Sequence, residues 1–208
     1  MYFYFKLKRI LGIIKKKIIM LGAGGHAKVI FDIASITGIK ISYIVDNKDQ
    51  LDPVFSRIKH IMNDEYISNN MPENKFALIN GLGVVPGVNK FLRSNIYNYY
   101  KKKKYEFLKI IHPKAIIASN VEIENGVNIM AGVVIQTSSI IMENSIINTG
   151  VLIDHDCVID QNVHIAPGAI LCGNVRVGKG SFIGAGAKIL PGVIIPENSI
   201  VKSGTLLK

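Results

Sequence analysis

The chain has 208 residues, 49% of them hydrophobic and 19% charged, which excludes a disordered or low-complexity protein. Much of its net charge of +10 sits in two runs, Lys6 to Lys17 and Lys101 to Lys104 with Lys109. These runs flank apolar stretches and form no aromatic-interleaved stripe, so no nucleic acid is expected as partner; an anionic small substrate suits the charge better.

Residues 1–16 form an N-terminal extension. Tyr2 to Phe5, followed by Lys6, Lys8, Arg9 and Lys15 to Lys17, suit either a plain extension, a weak membrane-surface contact through an amphipathic helix, or packing within an oligomer. No small-residue cleavage site follows, so a signal peptide is not expected. No run of eighteen apolar residues occurs anywhere, so no segment is expected to span a membrane.

Residues 17–112 are expected to form an α/β domain. The apolar run Ile18 to Leu21 ends at Gly22-Ala23-Gly24-Gly25-His26-Ala27-Lys28; a helical period (Val29, Ile30, Ile33, Ala34, Ile36) and a second run, Ile41 to Val45, follow. This is strand, glycine turn, helix, strand, a Rossmann-like βαβ unit. Glycines let the backbone close on a diphosphate, whose charge a helix N-terminus favours. Asp46, at the end of the second strand, stands where a carboxylate binds a ribose or base edge. About 95 residues is short for a full dinucleotide fold, so a nucleotide or nucleotide-sugar is the expected ligand. Phe76 to Ile79 predicts a third strand ending in Asn80-Gly81-Leu82-Gly83, residues 88–104 a basic helix, and Phe107 to Ile111 a last strand leading to His112 at the junction.

From Ile117 to Val201 an aliphatic residue occupies every sixth position through fifteen hexads, and a small or short-branched residue stands two places before each. Neither the 3.6 period of a helix nor the 2 of a strand needs such a lock. Each hexad is one side of a coil, with Gly, Asn and Pro at the corners, and three sides close a turn. Residues 113–208 therefore predict a parallel β-helix of hexapeptide repeats, five coils stacked at about 4.8 Å into a column on the order of 25 Å tall. Cys157 and Cys172 lie inside it without metal-type spacing and suit free thiols in a reducing cytoplasm.

Within the column, His155 stands at a corner between Asp154 and Asp156, and its ring is expected to face outward. A carboxylate on one imidazole nitrogen raises the basicity of the other, as a general base for an amine or hydroxyl requires. His164 precedes inward Ile165 and is also expected to point out. Nine residues separate the two, half a coil, so in one chain they fall on different sides of the prism. They could share a site only across a subunit boundary, which predicts a cyclic trimer. The pattern alone also leaves open that both are solvated or interfacial without a catalytic role.

The column, preceded by GAGGHAKV and carrying VLIDHDCVIDQNVHIAPGAILCGNVRVGKGSFIGAGAKILPG over about residues 17 to 204, resembles the sialic-acid O-acetyltransferase-like family of left-handed β-helix acyltransferases. That family includes N-acetyltransferases of UDP-4-amino sugars. The resemblance implies a left-handed coil, a homotrimer, acetyl-CoA as co-substrate, no metal, and a UDP-sugar held by the N-terminal domain in surface-glycan biosynthesis. By motif, His155 resembles the base and Asp156 the acid that tunes it, where relatives often have Glu. His164 resembles the group contacting the acetyl thioester, Gly173 the backbone donor near the oxyanion, and Ala185 and Ser203 the lining of the CoA channel. Gly24, Gly25, His26 and Asp46 fall on UDP-sugar positions, as does Gly81. Relatives continue to a segment near GVPAK where this sequence reads Thr205 to Lys208, so the adenine end of CoA is expected to be held differently. The alternatives are O-acetylation of a sialic-acid-like sugar and a non-catalytic nucleotide-sugar scaffold.

Overall fold

The computed structural model describes residues 16–88 and 91–208; the N-terminal extension lies outside them except for Lys16. The contacts divide the chain into two compact units, the first comprising the residues up to Gly83 with Ile96–Leu108, the second Val84–Asn95 with Lys109–Lys208.

The first unit is built on a five-stranded parallel sheet, β1 (Lys17–Leu21), β2 (Ile41–Val45), β3 (Lys59–Ile61), β4 (Phe76–Asn80) and β5 (Glu106–Phe107), in the order β3-β2-β1-β4-β5. β1 and β4 are near-continuous apolar runs because both faces of a parallel sheet are covered. Helix α1 (Gly25–Ile36) buries Ala27, Ile30, Ile33 and Ala34, its apolar stripe at helical spacing. Strand order reverses beside β1, so the glycine turn leaving it opens at the carboxyl edge where such sheets bind ligands. The segment between β2 and β4 carries a 3₁₀ turn (Pro53–Phe55), β3 and helix α2 (Asp64–Asn70).

The second unit is the column: two-residue strands from Ile110–Ile111 to Leu206–Leu207 in three parallel sheets of six, five and six. Strands eighteen residues apart pair in exact register, as Ile135 does with Ile117 and Ile153. The inward aliphatics from Ile129 to Val201 make one buried core with the small residues two places before them. Burial of each such side chain contributes about 1.5–3 kcal/mol, so the six-residue lock is the energetic spine of this unit.

The column is longer than the sequence reading by one side at each end. Phe107 to Ile111 is not one strand: Glu106–Phe107 joins the α/β sheet and Ile110–Ile111 opens the column. Lys109 fills the first small slot and spends its ammonium on the Ile123 carbonyl, which hid that hexad. The basic helix is shorter than expected, α3 (Leu92–Lys102). Residues 84–95 pack with the column, although a single cut after His112 leaves them with the sheet. Arg93 is the reason: it is 2% exposed, and its Nε and Nη2 donate to the carbonyls of Asn144 and Gly126 at 3.0 and 3.3 Å.

Candidate functional site

Two arrangements carry chemistry, one in each unit. In the first, Gly22 takes φ +91°, and a Cβ there would come within 2.6 Å of Leu82 Cδ2, so only glycine turns the chain this tightly. Asp46 fastens the turn, accepting the Ala23 N–H at 2.7 Å on Oδ2 and the Lys48 N–H at 3.1 Å on Oδ1. A Cβ on Gly24 or Gly25 would touch nothing within 4 Å, so these glycines leave open space where a ligand backbone could approach. Gly24 is the N-cap of helix α1, with no side-chain cap and no acid in the first turn, leaving the positive end of the helix uncompensated at the opening.

That opening is a cleft of about 430 Å³ lined by Ala23, Gly24, Gly25, Lys28, Lys48 and Asp52, with Gln50 and Leu51. Lys28 pairs with Asp52, and this hydrogen bond holds the Asp52 carboxyl below its ordinary range. Lys28, Lys48 and a helix N-terminus give the cleft groups of the kind that attract an anion, with Asp52 beside Lys28 offsetting one charge. Gly24 and Gly25 line it as the sequence places them. His26, Asp46 and Gly81 are not among its lining residues: His26 packs on Gly83, Asp46 holds the Ala23 N–H, and Gly81 is wedged with a Cβ position 3.0 Å from the Leu21 carbonyl. Lys28, Lys48 and Asp52 escaped the sequence reading, although Lys28 stands inside the quoted glycine motif.

In the column, the corner Asp154 to Cys157 presents His155, whose side chain is 54% exposed. Asp156, at φ +60°, turns its carboxylate back so that Oδ2 lies 2.7 Å from His155 Nδ1, while Asp154 Oδ1 accepts the His155 N–H at 2.8 Å. The carboxylate fixes the proton on Nδ1 and leaves the Nε2 lone pair free. The Asp156 hydrogen bond, then the charge of Asp154, raises the His155 pKa above its ordinary value. The ring lies against Gly173 one coil on, where a Cβ would come within 2.6 Å of Cε1 and Nε2. Gly173 is thus glycine by contact with this imidazole.

His164 faces away from the column axis as expected but is not open to solvent. It is 8% exposed, edge-on to Phe182 with ring centroids 5.0 Å apart, with Nε2 3.3 Å from Asn148 Nδ2. Burial, then the Arg93 charge, lowers its pKa to about 4, so the ring is neutral. Arg93 was also missed, since a lone arginine in a basic helix carries no signal of burial. His155 and His164 belong to different sides of the prism, between Ile153 and Val158 for the first and on strand His164–Ile165 for the second. Ala185 and Ser203 are exposed and stack on successive coils, joined through the Gly204 N–H to the Ala185 carbonyl at 2.9 Å. Among the described residues, no group of three His, Cys, Asp or Glu side chains is arranged to hold a metal.

Residues 17–100 match the family model of the PglD N-terminal domain, and residues 174–208 that of the bacterial transferase hexapeptide. The chain is similar to the acetyltransferase domain of PglB from Neisseria gonorrhoeae, at 30% identity over 91% of this chain and 89% of that one, TM-score 0.80. The same domain solved in complex with acetyl coenzyme A aligns at 29% identity over 93% and 91%, TM-score 0.81. A mutant of perosamine N-acetyltransferase from Caulobacter crescentus, in complex with CoA and GDP-perosamine, aligns at 30% identity over 90% and 86%, TM-score 0.81. With this family comes the left hand of the coil. A PglD-type sheet domain joined to a hexapeptide column, aligned along nearly its whole length with acetyltransferases, places this chain in the left-handed β-helix acyltransferase family, as an acetyltransferase.

Proposed function

We propose that this protein transfers the acetyl group of acetyl-CoA to the amino group of a nucleotide-linked amino sugar in surface-glycan biosynthesis. His155 is the base in this reading. As the amine nitrogen bonds to the thioester carbonyl carbon, His155 Nε2 takes the amine proton. Collapse of the tetrahedral intermediate breaks the C–S bond, the proton passing from Nε2 to the departing sulfur so that CoA leaves as the thiol. The observation that carries the reading is the 2.7 Å bond from Asp156 to His155 Nδ1, which leaves Nε2 as an exposed acceptor. The Gly173 N–H is the candidate donor to the developing oxyanion, His164 the neutral contact for the acetyl thioester, and Ala185 and Ser203 the lining for the pantetheine arm.

The cleft at Gly24, Gly25, Lys28 and Lys48 suits the diphosphate of the sugar nucleotide. UDP is the nucleotide the sequence resemblance implies, whereas the Caulobacter relative binds GDP-perosamine. A homotrimer is supported by the outer face of one sheet of the column, where Ile116, Leu152 and Leu206 are 68%, 41% and 53% exposed in the single chain. The free thiols Cys157 and Cys172 fit a cytoplasmic setting.

Thiol release from acetyl-CoA, followed with UDP-linked amino sugars, GDP-perosamine and free sialic acids, tests the reading. Turnover with an amino sugar and formation of an amide is the expected result. Turnover confined to sialic acids would replace it with O-acetylation, and none with any acceptor would favour a binding scaffold.

A further inference from the structure

Two ways of closing a corner of the column stand out. In one, the fourth residue of the turn donates its N–H to the carbonyl of the first, as Val151 does to Asn148 at 3.2 Å and Ala169 to Ala166 at 3.4 Å, with Gly150 and Gly168 at the third position. In the other, a hydroxyl from the coil before is inserted between those two groups. At the His155 corner, Ser139 Oγ donates to the Asp154 carbonyl at 2.9 Å and accepts the Cys157 N–H at 3.1 Å. Ser145 makes the same pair of bonds to Asp160 and Val163 at 2.8 and 3.2 Å. At these inserted corners the third residue is a side-chain-bearing residue at positive φ, Asp156 and Asn162, as Ser138 and Asn144 also are at corners without an inserted hydroxyl.

A corner held open this way can carry a carboxylate at its third position, beside a histidine at its second. We infer that Ser139, wholly buried in the column, is a positioning residue that holds His155 and Asp156 in hydrogen-bonding register. The inference rests on the reading of His155 as the base, and Ser139 touches neither substrate nor reacting atom. Without the hydroxyl, the Cys157 N–H and the Asp154 carbonyl must close on each other or stay buried and unpaired. Either outcome moves the backbone on both sides of His155 and loosens the bond between its Nδ1 and Asp156. The carboxylates whose charges act on the His155 ring are Asp154 and Asp156. The next corner of the same column supplies an internal control for the His155 titration, because Ser145 makes the same pair of bonds at a corner whose second residue is Gln161. A thiol can serve too: Cys157 Sγ donates to the Cys172 carbonyl at 3.2 Å.

The experiment compares full-length Ser139→Ala, Ser139→Cys and Ser145→Ala with wild type. Two readouts are used: the NMR titration midpoint of the His155 ring without ligand, assigned with His155→Ala, and thiol release from acetyl-CoA with whichever of GDP-perosamine or UDP-linked amino sugars the wild type turns over. Ser139→Ala is expected to move the midpoint down toward the ordinary histidine value and to lower kcat about tenfold or more with little change in KM. Ser145→Ala should lose as much thermal stability and leave the His155 midpoint at the wild-type value, and Ser139→Cys should restore most of the activity. Equal midpoints and equal turnover in Ser139→Ala and Ser145→Ala would overturn the inference. Undiminished turnover in His155→Ala would instead overturn the assignment of the base, and the NMR comparison would still decide what Ser139 holds.

Discussion

At the residue scale, two histidines of one column are driven in opposite directions. His155 is exposed between two carboxylates, and its charged form is favoured; His164 is buried beneath Arg93, and its charged form is disfavoured. The acid limb of kcat/KM should therefore lie above the ordinary histidine value of 6.5, because the base works only when neutral. Asp156→Asn removes the largest cause of that shift: the limb should move to lower pH and turnover at pH 8 should fall about tenfold or more, as a pH–rate profile will show. An unmoved limb would mean that Asp156 does not tune the base. His164 speaks to stability. Its folded pKa of about 4 lies below the unfolded 6.5, so its contribution is complete above pH 6.5 and is lost as pH falls toward 4. That window is worth roughly 3 kcal/mol. Denaturant unfolding at pH 7 and pH 4.5 should show His164→Gln losing less stability than wild type across the interval. The His155 contribution has the opposite sign, present below pH 6.5 and lost as pH rises through its raised folded value, and its exposure keeps it small.

At the scale of elements, the column was the most legible part of the sequence because one physical requirement repeats without interruption. Each side must bury a large aliphatic beside a small residue, and every register from Ile117 to Val201 follows from that. The ends were less legible where the rule is bent, as at Lys109, whose long chain occupies a slot meant for a small residue and neutralises its own burial through the Ile123 carbonyl. In the sheet domain, β1, the glycine turn, α1 and β2 were visible through Gly24, Gly25 and two apolar runs. The segment holding β3 and α2 was not, since a three-residue strand (Lys59–Ile61) and a seven-residue helix are too short for periodicity to show. The His155–Asp156 pair could be read from adjacency, since residues i and i+1 at a corner share one turn. The burial of His164 could not, because it depends on Val84–Asn95, more than sixty positions away, lying against the same unit. Ser139 was legible only as a small inward residue; its hydroxyl acquires a task solely from the coil stacked next to it.

At the scale of the whole molecule, the column leaves a row of large apolar side chains exposed on one sheet. Ile116, Leu152 and Leu206 recur on one face of the prism at multiples of the coil length, with half-buried Val134 and Ile170 and the exposed Lys188 between them. Association about a threefold axis would cover that face and place the His155 corner of one protomer against another side of its neighbour. Light scattering should give three times the 22.9 kDa of the chain, and Leu152→Glu should shift it toward one. Thiol release should fall with it, even though Leu152 lies on a strand that points its side chain away from the core. A monomeric wild-type protein with full activity would remove the need for any site shared between chains.

The acetyl-transfer account stands most directly on the rate of CoA release by His155→Ala, measured beside wild type with acetyl-CoA and the acceptor the wild type prefers. Loss of about a hundredfold or more, with unchanged thermal stability and unchanged affinity for the nucleotide sugar, is the predicted result. Release at the wild-type rate would contradict it.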